Sequence, residues 1–144
     1  MARQYHILVV EDQERWREDI FREALEDRGY QVKTSSSFDE AVAALDRQVF
    51  DLVVIDVNLT NVAGNRDGVR VLDRIAALGH RSLTIVVSGS KTWTVTEKSV
   101  RKFHPVAFLD KTTFDVAEFV ALVSGALAEP AKIPERGAPC AGNG

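Results

Sequence analysis

Residues 52–60 read Leu52-Val53-Val54-Ile55-Asp56-Val57-Asn58-Leu59-Thr60, "LVVIDVNLT". The apolar run ahead of the aspartate does not alternate, which is the pattern of a strand covered on both faces, as in a parallel sheet. Asp56 ends that run with apolar residues on either side, and an ionised carboxylate in such a place needs partners to offset its desolvation. Those partners must come from other segments, so the question becomes what else ends a strand in this chain.

Short apolar runs recur, separated by longer amphipathic segments. His6-Ile7-Leu8-Val9-Val10 is the first strand candidate, and Glu11-Asp12 follows it directly. Residues 13–29 carry Trp16, Ile20 and Ala24, and also Phe21 and Leu25, at four-residue spacing. That is one helical face, and Glu18, Arg22 and Glu26 are spaced for ion pairs on another. Gly29 closes this helix. Residues 30–35 alternate as a short strand suited to an edge. Ser37 and Glu40 have capping-box spacing at the head of a second helix. The opening stretch is the third strand. Residues 57–66 are loop-like, and 67–79 read as a helix ending at Gly79. Residues 82–90, "SLTIVVSGS", supply a fourth strand and Val106 to Leu109 a fifth, with a helical segment over 91–103 between them. A last amphipathic helix spans 113–128. From Glu129 the chain turns to Pro, Gly and Ala, too poor in apolar residues to pack. The expected organisation is one domain over 1–128 and a flexible tail or linker over 129–144.

Five strands alternating with five helical segments predict an α/β domain, a mostly parallel sheet with helices on both faces. At 144 residues the chain suits a single core. Its formal net charge of −3 provides no basic field for nucleic acid or anionic membrane. Cys140 is the one cysteine, so no intrachain disulfide can form and a reducing compartment fits. The N-terminus lacks a signal-peptide run, and no stretch approaches membrane-span length. A cytoplasmic location is expected, with no membrane and no direct nucleic-acid contact. His6, His80 and His104 share no ligand spacing, which argues against zinc, and no glycine-rich nucleotide motif is present.

In doubly wound sheets, ligands gather at the carboxyl ends of the strands. There the sequence puts Glu11 and Asp12, then Asp56, then Ser88, and Lys111 just beyond the fifth strand. Taken singly, each has an ordinary explanation: a helix cap for Asp12, a turn for Ser88, a solvated surface for Lys111. Taken together they do not. Three neighbouring carboxylates raise one another's pKa unless a cation is present, and Mg²⁺ is the hard ion that suits oxygen ligands beside a phosphate. A hydroxyl and a lysine beside it suit the remaining oxygens of a phosphoryl group, and a carboxylate can itself be the nucleophile. Phosphoryl transfer onto an aspartate is the chemistry these residues fit.

In that order, "VVED", "VVIDVNL", "VVSGS" and "AFLDK" resemble the signature segments of the response-regulator receiver domain of bacterial two-component signalling, over about residues 5–128. The resemblance implies a five-stranded parallel sheet of flavodoxin-like order 2-1-3-4-5. It implies Asp56 as phosphoacceptor, Asp12 as a direct Mg²⁺ ligand, Glu11 acting through ion-bound water, and the Asn58 backbone carbonyl as a further ligand. It also implies that Ser88 bonds a phosphoryl oxygen, that Lys111 pairs with another, and that Phe108 is the switch aromatic. The donor would be a sensor histidine kinase or a phosphotransfer protein. The signalling face would be that of segment 91–103, strand five and the last helix, where a homodimer or an effector would also dock. Catalysis would be limited to the chain's own phosphorylation and dephosphorylation.

Three features depart from the family pattern. Thr112 follows the lysine where proline is usual, so the loop there is expected to take its own path. The segment from Asp56 to Asp67-Gly68 is four residues longer than usual, with Leu59 and Thr60 at the Met-Pro positions. Gly89 stands where alanine is frequent, which should loosen that loop slightly. Trp16 reads as a core or half-buried helix anchor, and Trp93 as packing on the signalling face. Two rival readings remain. One is a receiver-like interaction module that is never phosphorylated. The other is a phosphatase of the haloacid-dehalogenase type, which would want a second acid where Asn58 stands.

Overall fold

The computed structural model describes residues 4–57, 67–89 and 100–128. Five strands form one sheet: β1 (His6–Val10), β2 (Gln31–Ser35), β3 (Leu52–Asp56), β4 (Leu83–Ser88) and β5 (Ala107–Asp110). Their order is β2-β1-β3-β4-β5, and every neighbouring pair is parallel. The doubly wound sheet expected from the alternating segments is therefore present, with β2 at an edge. All five residues of β3 are buried, as its unbroken apolar run predicts.

Alternation along the strands sorts the core into two layers. Leu8, Val10, Val53, Ile55 and Val86 point to one face. There they meet Ala41, Ala44 and Leu45 of α2 (Phe38–Arg47) and Val71, Leu72 and Ile75 of α3 (Asp67–Ala77). Ile7, Val9, Leu52, Val54, Ile85 and Val87 point to the other. That face is covered by Phe21 and Leu25 of α1 (Arg15–Asp27) and by Phe119, Val123 and Leu127 of the C-terminal helix α4 (Val116–Ala128). Helix α1 winds widely, with five-residue hydrogen bonding, over Arg15–Arg22 and continues as an α-helix over Glu23–Asp27. Its widened turn is seen where the Glu23 N–H donates to the Glu18 carbonyl. The expected ion pairs run along its outer face, Arg22 to Glu18 at 2.9 Å and Arg22 to Glu26 at 3.1 Å.

Local signals differ from expectation in small, interpretable ways. Ser37 does cap α2, its hydroxyl accepting from the Glu40 N–H at 3.2 Å. The return arm goes one residue further back, however, with the Glu40 carboxylate accepting from the Ser36 N–H at 2.7 Å. The last helix begins at Val116 rather than 113, because Asp115 caps it and accepts from the Glu118 N–H at 2.9 Å. Residues Lys111–Thr113 form a separate 3₁₀ turn. Of the helical segment expected over 91–103, the described part ends in a 3₁₀ turn, Arg101–Phe103, closed by His104 at φ 54° ahead of Pro105. The rest of that segment with Trp93, the loop 58–66 and the tail with Cys140 lie outside the described residues. No helix among the described residues is long and apolar enough to cross a membrane.

Candidate functional site

The carboxyl ends of β1, β3 and β4 and the turn after β5 converge, and they carry the residues singled out by sequence. Register places Val10 beside Ile55 and Asp56 beside Val87, so Glu11 and Asp56 sit next to each other at the sheet edge. Glu11, Asp56 and Ser88 are all buried. One oxygen each of Glu11, Asp12 and Asp56 lies within 4.8 Å of the others. Lys111 bridges two of these acids, with Nζ 2.8 Å from Glu11 Oε1 and 3.2 Å from Asp56 Oδ2. The contact with Asp56 is a hydrogen bond, whereas the closer approach to Glu11 is an ion pair outside hydrogen-bonding angles.

One lysine does not balance three acids. Burial, and then the neighbouring Asp56 charge, push the Glu11 carboxyl up to about 8, although Lys111 pulls it down. Asp12 Oδ1 is buried without a hydrogen-bond partner. Burying such an oxygen costs free energy unless something else meets it. Crowded hard oxygens, one of them unmet, are the donor set for a hard divalent cation, so the residues fit Mg²⁺.

Alternation separates the site into two sets. Glu11, Asp56 and Lys111 follow the register of the face covered by α1 and α4. Ser88 and Phe108 follow the other, where Phe108 pairs with Val86 across β4 and β5 and packs half-buried against that core layer. The hydroxyl and the aromatic are thus neighbours on one face of adjacent strands. Gly89 lies against the Lys111 stem, and an added Cβ would meet its methylenes at 3.4–3.9 Å, so an alanine would fit.

The loop after β5 takes the separate path that Thr112 foretells. Among the described residues no peptide bond is cis. The Asp110 carboxylate instead caps the turn, accepting from the Thr112 N–H at 2.8 Å and from its hydroxyl at 2.7 Å. A proline at 112 has no N–H to offer this cap. Asn58 lies outside the described residues. Two participants carry no sequence signal of their role. Arg17, spaced as a helix-surface charge, turns inward and donates from Nη1 to the Glu11 and Asp12 carbonyls at 3.1 and 3.2 Å, fixing the acidic loop. Gly68 lets the start of α3 lie against the backbone of Asp56 and Val57.

Comparison with known proteins bears on the family and the fold. A family model described as the response regulator receiver domain matches residues 7–124. The alginate biosynthesis transcriptional regulatory protein AlgB of Pseudomonas aeruginosa is 44% identical over 70 residues, 49% of this chain and 14% of that protein. AlgB of Pseudomonas putida is 42% identical over 69 residues, again 14% of its length. The chain thus spans a small part of these longer regulators. Among solved structures, NtrX from Brucella abortus gives a TM-score of 0.73 at 25% identity, over 93% of this chain and 28% of that one. A CheY-like receiver domain protein from Methanospirillum hungatei shares the fold, with a TM-score of 0.77 at 21% identity over 90% of this chain and 98% of that one.

Proposed function

We propose that this chain, which belongs to the response regulator receiver domain family, accepts a phosphoryl group on Asp56 from the phosphohistidine of a sensor histidine kinase or phosphotransfer protein. The observation that carries the reading is the buried Asp56 carboxylate at the end of β3, paired with Lys111 at 3.2 Å and crowded by Glu11 and Asp12. In the transfer, an Asp56 oxygen forms a bond to phosphorus as the P–N bond of the donor breaks. The imidazole nitrogen leaves with the bonding pair and takes a proton from solvent. Glu11, Asp12 and Asp56 would hold Mg²⁺, which supplies positive charge against the phosphoryl oxygens when bound.

The adduct adds a charge of about −1.5 to −2 near neutral pH. Lys111 would answer it, and Ser88 would donate its hydroxyl to a phosphoryl oxygen. Moving Ser88 opens space on its own face of the sheet, where Phe108 stands ready to follow. The changed surface of segment 91–103, β5 and α4 would then be read by a partner, an effector domain or a second copy of the chain. Driving such a switch from 1:99 to 99:1 takes about 5.5 kcal/mol of differential stabilisation. Chemistry is confined to the chain's own phosphorylation and dephosphorylation.

Intact mass after acetyl phosphate and Mg²⁺ tests the site. The wild type should gain one phosphoryl group and Asp56→Asn none; an unchanged adduct in Asp56→Asn would sink the assignment.

Glu11 should make both stability and cation binding depend on pH. Its folded-state pKa of about 8 exceeds the ordinary 4.5, so the metal-free fold binds more protons than the unfolded chain between those values. Stability contributed by the protonated group is therefore present at low pH and lost as pH rises through that window. Mg²⁺ binding must displace the proton, so its apparent affinity should climb between about pH 6 and pH 8 and then level off. Thermal melts across this range, in EDTA and in Mg²⁺, check both signs. A Mg²⁺ stabilisation independent of pH would remove Glu11 from the cation site.

A further inference from the structure

We propose that Trp16 is a positioning residue for phosphoryl transfer, its indole face holding the Lys111 ammonium where it meets Asp56. This rests on the phosphoacceptor reading above. Lys111 Nζ lies 4.9 Å from the Trp16 ring centroid, within range of a cation–π contact, while also bonding Asp56 at 3.2 Å. The ring is itself held. Phe114 meets it edge to face at 5.2 Å and 79°, and Phe21 packs at 5.6 Å.

Phe114 is the first residue after the turn Lys111–Thr113, so both ends of that turn rest on one indole. A lysine stem has much rotamer freedom to lose, and its ammonium is a point charge without the geometric fork of arginine. A fixed indole face beside it, together with two carboxylates, restricts where the ammonium can sit. Trp16 reaches this place because α1 starts just after the acidic loop. The same short segment therefore supplies cation ligands and the lysine's support.

The test uses the full chain with Trp93→Phe as parent, which leaves Trp16 as its single tryptophan, since the sequence has two. Adduct formation from acetyl phosphate and Mg²⁺ is timed by intact mass, and Trp16 emission and melting temperature are recorded alongside. Trp16→Leu should slow phosphorylation about 3- to 10-fold, the range set by a partly desolvated cation–π contact. Trp16→Phe should recover most of that rate. In a Lys111→Met background the Trp16 substitution should make no further difference, and Trp16 emission should shift when Lys111 is replaced. An unslowed Trp16→Leu, an equal loss in both backgrounds, or emission indifferent to Lys111→Met would each overturn the proposal. Should Trp16→Leu not stay folded, the emission comparison and the Trp16→Phe rate decide alone. A parent that takes no phosphoryl group overturns the phosphoacceptor reading itself, a result distinct from all of these.

Discussion

Gly68→Ala should cost both stability and phosphorylation, although Gly68 carries no chemistry of its own. A Cβ built there falls 2.3 Å from Val57 Cα, 2.5 Å from the Asp56 carbonyl oxygen and 2.9 Å from Val57 C. These are backbone atoms, and no rotamer change relieves them. Either the start of α3 retreats or the end of β3 moves, and overpacking of this kind costs about 1–3 kcal/mol. Where the end of β3 moves, Asp56 moves with it, and phosphoryl transfer should fall by about 100-fold for a shift on the order of 1 Å. Thermal melts and the acetyl phosphate time course measure the two effects separately. A variant with wild-type rate and stability would mean that α3 moves freely against β3.

Phe21→Ala is expected to remove a large share of the folding free energy. Phe21 is 1% exposed and has ring centroids of Trp16, Phe114 and Phe119 at 5.6, 5.6 and 5.3 Å. It also packs in the layer with Ile7, Val9, Val54 and Val87. Truncating a buried phenylalanine typically costs about 3–5 kcal/mol, a large fraction of the 5–15 kcal/mol total of an ordinary domain. The melting midpoint should drop by roughly 10–20 °C, and Phe21→Leu should recover part of it. A loss below about 1 kcal/mol would show that the ring cluster closes over the gap.

Much of this architecture is legible in the sequence. Strands buried on both faces announce themselves as unbroken apolar runs, and β1, β3 and β4 all do so. Acids at the ends of such runs stand out because burial makes them costly; Asp56 is conspicuous on that ground alone, and Glu11 and Asp12 become so only in its company. The widened winding of α1 is not legible, since the four-residue spacing of Trp16, Ile20 and Ala24 suits an ordinary helix. Arg17 escapes sequence reasoning for a related reason. Its targets are main-chain carbonyls, which have no side-chain signature, and a charge on an amphipathic helix reads as solvated. Trp16 reads as a half-buried anchor, and it is one. Its second contact, with Lys111, joins residues far apart in the chain and leaves no local trace. Thr112 foretells a changed loop, but the Asp110 cap that shapes it shows only in the folded chain.

The register of the sheet also bears on when the site comes into being. Each neighbouring pair of strands is parallel, so each pairing waits for an intervening crossover, and such non-local contacts form late. Lys111 bonds Asp56 across 55 positions of sequence, from the turn just after the strand at the far edge of the sheet. A chain emerging in order gathers all three acids before their counter-charge exists. A truncated or half-assembled copy would hold a carboxylate cluster without its lysine, so under the phosphoacceptor reading a full rate of phosphorylation would report that the last strand has docked.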